Sequence, residues 1–332
     1  MKKIFVSIIS ILLCATFFIS CGSKALKDDY GCFVDYEEAV KYSQKKKLPL
    51  LVFFTSEGDD EQSTQIVSSI FRNSSFSDEI LKNYTVFHAD FSQKVFAKTN
   101  VQEGADKAVQ EIANTYTNIL QKNYQLAMLL NVSNMPAVFL CTKDGFVVER
   151  LDDQLELDSI AELNQALSQT QEKLGKFNDM VVQTNKGSAA DKVEAIDTLY
   201  MATSAEYRTF LLPLVIKVPQ LDKDNKTGLT GKYVFATAQA VALSALSQGD
   251  VETAVKKYLE TADNSFLKDE EKQECFYTAA YIAATSGSDD YEGILTYLQT
   301  AYDLAPNSDK AAAIKDAVNY FGTIIDNIDE IN

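Results

Sequence analysis

Histidine is almost missing from this chain: His88 is the only one in 332 residues. The five cysteines, Cys14, Cys21, Cys32, Cys141 and Cys275, are scattered, and none are spaced as C-x-x-C or as a zinc knuckle. These shortages exclude the usual zinc sites, which need clustered nitrogen and sulfur ligands. They also leave little material for a Cys–His nucleophile pair. No Ser–His–Asp pattern, phosphate-binding glycine loop or dinucleotide fingerprint is visible, and no cofactor is expected. Positive charge is short as well. Thirty-one Lys and Arg face 47 Asp and Glu, for a formal net charge of −16. Nucleic acid binding needs a basic surface, and the sequence shows none. The same balance argues against adsorption to anionic lipid by charge alone. What remains is ordinary globular composition, 46% hydrophobic and 23% charged, with length enough for two domains.

Residues 1–20 read as a targeting segment: Lys2-Lys3 start it and IFVSIISILLCATFFIS continues it,. Its end, Phe18-Ile19-Ser20-Cys21-Gly22, resembles a bacterial lipoprotein cleavage box, with small Ser20 before the cysteine and Phe18 where such boxes prefer leucine. The resemblance implies that Cys21 becomes a lipid-bearing N-terminus. The alternative is an uncleaved anchor helix. Either way the rest of the chain is expected outside the cytoplasm, held at a membrane and facing the periplasm. Residues 21–32 would be the tether.

The next stretches alternate. Asp35–Lys47 has helical spacing (Tyr36, Ala39, Val40, Ser43) and ends in three lysines that suit a helix C-terminus,. Leu50–Thr55 is a buried strand. It turns through Ser56-Glu57-Gly58-Asp59 into a helix with Ile66, Val67, Ile70 and Phe71 on one face. A short helix over Phe76–Asn83 and a strand over Thr85–Phe91 follow. His88 lies in that strand and reads as a packed residue. Helical spacing fills Ala105–Gln121 and Tyr124–Leu130. Strands at Ala137–Thr142 and Phe146–Leu151 flank a Lys-Asp-Gly turn, and a helix over Asp158–Lys173 closes the domain.

This order resembles the thioredoxin fold over residues 33–173. The nearest likeness is to periplasmic thioredoxin-like proteins with Lys-x-Pro before, and Phe-Thr at the end of, the first central strand; here these are Lys47-Leu48-Pro49 and Phe54-Thr55. Pro136, after Met135, matches the family's cis-proline. The resemblance implies an α/β domain (33–175) with a central mixed sheet and flanking helices. Its dithiol departs completely. The cysteine positions fall at Asp60 and Ser63, with Glu61-Gln62 between them. Thiol exchange needs a thiolate and a resolving thiol, so these are degenerate active-site positions. Asp59-Asp60 reads as a helix cap, with an anion-repelling or metal site as the alternative. Cys141 reads as a buried strand residue. Cys32 is the one cysteine placed to be exposed. The insertion between Asp90 and Asn131 is either packing or a recognition surface.

Beyond residue 185 strand signals stop. Ala189–Met201 and Glu206–Val218 read as a helix pair, with Pro213 a kink. Leu221–Gly231 is a polar loop, in which Asp222 and Asp224 begin like a calcium loop but lack its remaining ligands. Two later pairs resemble degenerate tetratricopeptide repeats: Ala238, Val241, Ala242 and Ala245 with Ala254 and Tyr258, then Phe276, Ala279, Ala280 and Ala283 with Tyr291, Tyr297 and Ala301. Their spacing exceeds the usual repeat of about 34 residues. Asp309–Ile328 would cap this TPR-like helical domain, residues 185–332. The resemblances imply a membrane-anchored, redox-inactive, non-enzymatic module that binds or scaffolds envelope proteins or peptides. The alternatives are a thiol–disulfide enzyme using Cys32 and a small-molecule binder in the cleft between Asp60 and Pro136.

Overall fold

The computed structural model describes residues 25–102, 104–153 and 157–329. The targeting segment, Cys14 and Cys21 lie outside the described residues. The described residues divide into two compact units, one formed by residues 25–185 with Thr198–Leu211, the other by Lys186–Asp197 with the chain from Leu212 onward.

In the first unit, α1 (Tyr36–Lys46) starts where the Asp35 carboxylate accepts the Glu38 N–H, and its first turn is acidic and its last basic. Both features complement the helix dipole. Lys47 ends it in the left-handed region, φ 60°, and β1 (Leu50–Thr55) follows. Every β1 residue is buried, as a strand covered on both faces must be. From Asp60, α2 (Glu61–Ile66) runs directly into a π-helical turn over Val67–Phe71, and Ile66, Val67, Ile70 and Phe71 are buried together, as their spacing predicts. A second π-helical turn, Phe76–Leu81, precedes β2 (Thr85–Asp90).

The insertion after β2 holds a short α3 (Gln93–Phe96) and then α4 (Lys107–Leu129). The two helices expected there are one continuous helix. Buried Asn123, inside the expected gap, donates from its side chain to the Val34 carbonyl. A hairpin of β3 (Ala137–Cys141) and β4 (Val147–Arg150) completes the sheet. The order is β2-β1-β3-β4, with β1 parallel to β2 and antiparallel to β3, and β3 antiparallel to β4. That mixed arrangement, with helices between its strands, is what the thioredoxin resemblance implies. At the hairpin turn Gly145 takes φ +82° and its carbonyl accepts the Tyr36 hydroxyl. A Cβ there would lie 2.8 Å from that same hydroxyl, so the turn and α1 are packed through a glycine. The closing helix α5 (Ile160–Gln183) continues well past Lys173, because Leu174, Phe177 and Val181 extend its buried face.

Two stretches depart from the sequence reading. The stretch read as tether is part of the fold from residue 25: Asp28 accepts the Tyr30 and Cys32 N–H groups, Cys32 is fully buried, and Lys27 bridges to Phe33, which adds to the edge of β2 by donating to the Val86 carbonyl at 2.9 Å and accepting from the His88 N–H at 2.8 Å. After α6 (Ala189–Ala202), the expected helix over Glu206–Val218 is instead a 3₁₀ turn, Ala205–Leu211, followed by α7 (Leu212–Val215) and α8 (Val218–Leu221). In that 3₁₀ turn Tyr207 meets Phe139 edge-on at 6.0 Å, so an aromatic from beyond residue 185 joins the sheet core.

The second unit is helical. The loop after α8 is organised by Asp222, which accepts from the Lys226 and Thr227 N–H groups and the Thr227 and Thr230 hydroxyls. These bonds, the Thr227 hydroxyl first, hold its carboxyl below the usual range. The acid that begins like a calcium ligand is thus a loop anchor. Five helices follow: α9 (Thr230–Ser247), α10 (Val251–Ala262), α11 (Asp269–Thr285), α12 (Tyr291–Leu304) and α13 (Ala311–Asp329). Each packs on the next. Alanines line the packed faces: Ala238, Ala242 and Ala245 of α9 share a buried cluster with Ala254 and Tyr258 of α10. Ala280, Ile294, Leu298, Ala301 and Ile314 form the next cluster. No helix among the described residues is long and apolar enough to cross a membrane.

Candidate functional site

The region where a thioredoxin carries its dithiol lies at the carboxyl end of β1. Phe54 pairs with Ala137, so by register Pro136 falls opposite Thr55, the last residue before the loop. The Met135–Pro136 peptide is cis. On its other side Thr55 pairs with Asp90. The loop closes on itself when the Asp59 and Asp60 N–H groups donate to the Ser56 carbonyl.

The four degenerate positions have separate fates. Asp60 is the N-cap of α2, with extended backbone and its carboxylate accepting the Ser63 N–H at 2.6 Å. Glu61 and Gln62 face solvent. Ser63 is fully buried, and its hydroxyl has no hydrogen-bond partner. Asp59 caps a different helix, accepting the Gln93 N–H at the start of α3 at 2.8 Å. The two adjacent aspartates are therefore spent on two helix starts. Among the described residues no group of three or more His, Cys, Asp or Glu side chains is placed to hold a metal.

An unpartnered buried hydroxyl is a stability cost of about 1 kcal/mol or more. Ser63→Ala removes the hydroxyl while keeping the Cβ and leaves the Asp60 cap intact. The variant is expected to be about 1 kcal/mol more stable than the parent. Urea unfolding, with an unchanged slope and a higher midpoint, is the check; a lower midpoint means that the hydroxyl is satisfied.

None of the described cysteines supplies a thiolate nearby. Cys32, Cys141 and Cys275 are all free and buried. The expectation that Cys32 is exposed is corrected: its exposure is 0%. Burial pushes its thiol well above the ordinary value, and the Asp28 charge adds to this. Burial likewise raises Cys141, and pushes Cys275 up to about 12. Thiols held this way stay protonated near neutral pH and are inert.

The structure also assembles a group that sequence spacing concealed. His88, 3% exposed, lies between Asp28 and Thr55. Its Nδ1 is 2.7 Å from Asp28 Oδ2 and its Nε2 is 2.8 Å from Thr55 Oγ1. This is a hydroxyl–imidazole–carboxylate chain, which the sequence reading did not find. It does not form an accessible nucleophile, because Thr55 is 0% exposed. The Phe71 ring lies 4.6 Å from the imidazole, so both the polar chain and its packing are internal. The missed partner, Asp28, sits 60 positions away in the stretch read as tether. The only hint was a buried-strand histidine needing two polar partners. Above this group a small cleft of about 80 Å³ is lined by Asp28, Tyr30, Glu57, His88, Asp90 and Lys94. A second, of about 200 Å³, lies between Lys47, Pro49, Lys143 and Val182. Both fall below the several hundred Å³ usual for pockets that enclose a metabolite.

The class defined by this geometry is a thioredoxin-like α/β unit without its dithiol, followed by a helical unit. Residues 229–325 match a family model described as an uncharacterised protein C-terminal domain. A Treponema pallidum (strain Nichols) protein, titled "Uncharacterized protein", is 27% identical over 205 residues, covering 60% of this chain and 66% of that one. The chain thus spans just under two thirds of that relative's length. Among solved structures, one titled "DsbH Oxidoreductase" is similar with a TM-score of 0.31 and 18% identity, covering 47% of this chain and 96% of its own. At that score the likeness carries no weight for function, and the fold assignment rests on strand order and direction.

Proposed function

We propose that the chain is an exported, lipid-anchored, non-enzymatic scaffold that binds envelope proteins or peptides through its helical unit. Two features of the first unit support the non-enzymatic part: Asp60 and Ser63 stand where thiols are needed, and Cys32 and Cys141 are buried. Cys21 is the lipid-bearing residue in this reading. The helical unit supplies the binding surface as a TPR-like array. Its packing residues repeat: Ala238, Ala242 and Ala245 of α9 correspond to Phe276, Ala280 and Ala283 of α11, while Cys275, Ala279 and Ile282 of α11 correspond to Ile314, Val318 and Phe321 of α13.

The observation that carries the proposal is what the same register does on the outside. Leu243, Tyr281 and Tyr320 hold one equivalent position on α9, α11 and α13, and are 47%, 60% and 64% exposed. Large apolar or aromatic side chains repeated at one exposed position of stacked helices form a ladder, and stacked helix pairs use such faces to hold extended partners. A photo-crosslinking residue placed in turn at positions 243, 281 and 320, in cells, tests the reading. All three are expected to give the same discrete adduct, and position 256, an exposed lysine on α10, none. The scaffold reading is abandoned if the ladder positions crosslink no better than position 256. It is abandoned equally if the purified protein reduces insulin disulfides at a thioredoxin-like rate.

A further inference from the structure

We infer that the face formed by Leu26, Lys27, Tyr42 and the run Lys45-Lys46-Lys47 lies against an anionic lipid surface. This rests on the reading of Cys21 as the lipid-bearing residue and names the orientation that the anchor imposes. The chain is strongly acidic, yet its one run of three lysines is gathered at the end of α1. All six of these residues are exposed. Among the described residues no carboxylate lies within ion-pair distance of Lys27, Lys45, Lys46 or Lys47, whereas Lys41 on the same helix is paired with Glu38 and Lys122 with Asp35. The nearby carboxylate on the hairpin turn, Asp144, is occupied by Lys143. These four ammonium groups are therefore free of ion pairs among the described residues, although Asp28 and Asp29 adjoin Lys27 in the chain.

The arrangement around Tyr42 is that of an interfacial residue. Lys27 Nζ lies 5.5 Å from the centre of its ring and Lys46 Nζ 5.8 Å. An aromatic ring bracketed by two lysines, with exposed Leu26 next to Lys27 in the chain, matches the side chains that settle at a headgroup layer, where apolar bodies sink and ammonium groups stay wet. The position of the chain entry selects this face. Leu26 and Lys27 are part of the patch itself, and Cys21 precedes Leu26 by five residues. Whatever path the intervening residues take, they span at most about 18 Å. A lipid on Cys21 therefore tethers this face close to the headgroups, and charge attraction acts once it approaches to within about 10 Å of them. The acidic remainder is repelled from an anionic surface and reinforces the orientation.

The test uses the full chain with its lipid, mixed with vesicles of phosphatidylcholine alone or with added phosphatidylglycerol. Flotation reads attachment, and acetylation of lysines followed by mass spectrometry reads orientation. Lys27 and Lys45–Lys47 are expected to acetylate about threefold or more slowly on the anionic vesicles, with the protection lost at high salt. Exposed Lys256 serves as the unprotected reference. Flotation on both vesicle types with this protection supports the anchor and the patch together. Flotation only on anionic vesicles, with protection, supports the patch and overturns the anchor. Flotation on both without protection overturns the patch and leaves the anchor standing. Failure to float on either overturns both.

Discussion

Replacing Asp28 by alanine is expected to cost the first unit about 3 kcal/mol and to make Cys32 reactive. Asp28 Oδ1 accepts the Tyr30 N–H at 2.9 Å and the Cys32 N–H at 2.8 Å, while Oδ2 faces His88 Nδ1 at 2.7 Å. One carboxylate therefore shapes the loop and ties it to the sheet. Its loss leaves a buried imidazole nitrogen and two backbone donors without acceptors, and each such group costs about 1–3 kcal/mol when water cannot replace the partner. Asp28 is itself partly exposed, which lets water compensate some of this and keeps the total near the lower sum. The second effect follows from the same bonds. The Cys32 thiol is raised first by burial and then by the Asp28 charge. Opening the loop removes the first cause and the substitution removes the second, so both accessibility and thiolate fraction rise. Urea unfolding reads the stability, and labelling by a disulfide reagent under native conditions reads the thiol. Asp29→Ala is the control, since Asp29 makes a 3.8 Å ion pair with Lys94 on the surface. Asp28→Ala with wild-type stability, or with Cys32 still unlabelled, sinks the idea that this carboxylate is the fastening.

That fastening also shows why some of the fold was legible in the sequence and some was not. β1 and the buried face of α2 were readable because a run of large apolar residues ends in a turn and resumes at helical spacing. The cap at Asp60 was readable because capping is local: the side chain reaches three residues ahead. Pro136 was readable from its position before a strand. The Asp28–His88–Thr55 chain was hidden because its three members come from an edge segment, β2 and β1, and only strand pairing brings them together. Polar composition made the stretch before α1 look like a tether, although Asp28 binds His88 and Cys32 is fully buried. Tyr207 was hidden for the same reason: its neighbours continue a helical pattern, and its destination beside Phe139 is tertiary. The lysine patch belongs here too. Net charge is a sum over the chain and carries no information about Lys27 and Lys46 meeting at the Tyr42 ring.

Gly231→Ala is expected to destabilise the helical unit by about 2–3 kcal/mol, although alanine is the better helix former. On propensity alone the substitution, two residues into α9, gains close to 1 kcal/mol. The neighbourhood reverses the sign. A Cβ at this position lies 2.3 Å from the Phe266 carbonyl oxygen and 3.0 Å from its carbon. Both are backbone atoms, so no rotamer change relieves the overlap. Phe266 belongs to the link between α10 and α11, and the next residue, Leu267, is buried in the cluster these helices share. The link must therefore move away from α9, taking Leu267 with it, or the start of α9 must unwind. Unwinding also disturbs the loop anchor, because Thr230 donates to the Asp222 carbonyl at 2.8 Å. Gly175 provides the comparison. It lies within α5 with no atom within 4 Å of its added Cβ, so Gly175→Ala is expected to raise stability by about 0.5–1 kcal/mol through propensity. Measured together by urea unfolding, the two Gly→Ala changes should have opposite signs. Two changes of the same sign would mean that the approach of Phe266 to α9 is not a constraint on the folded unit.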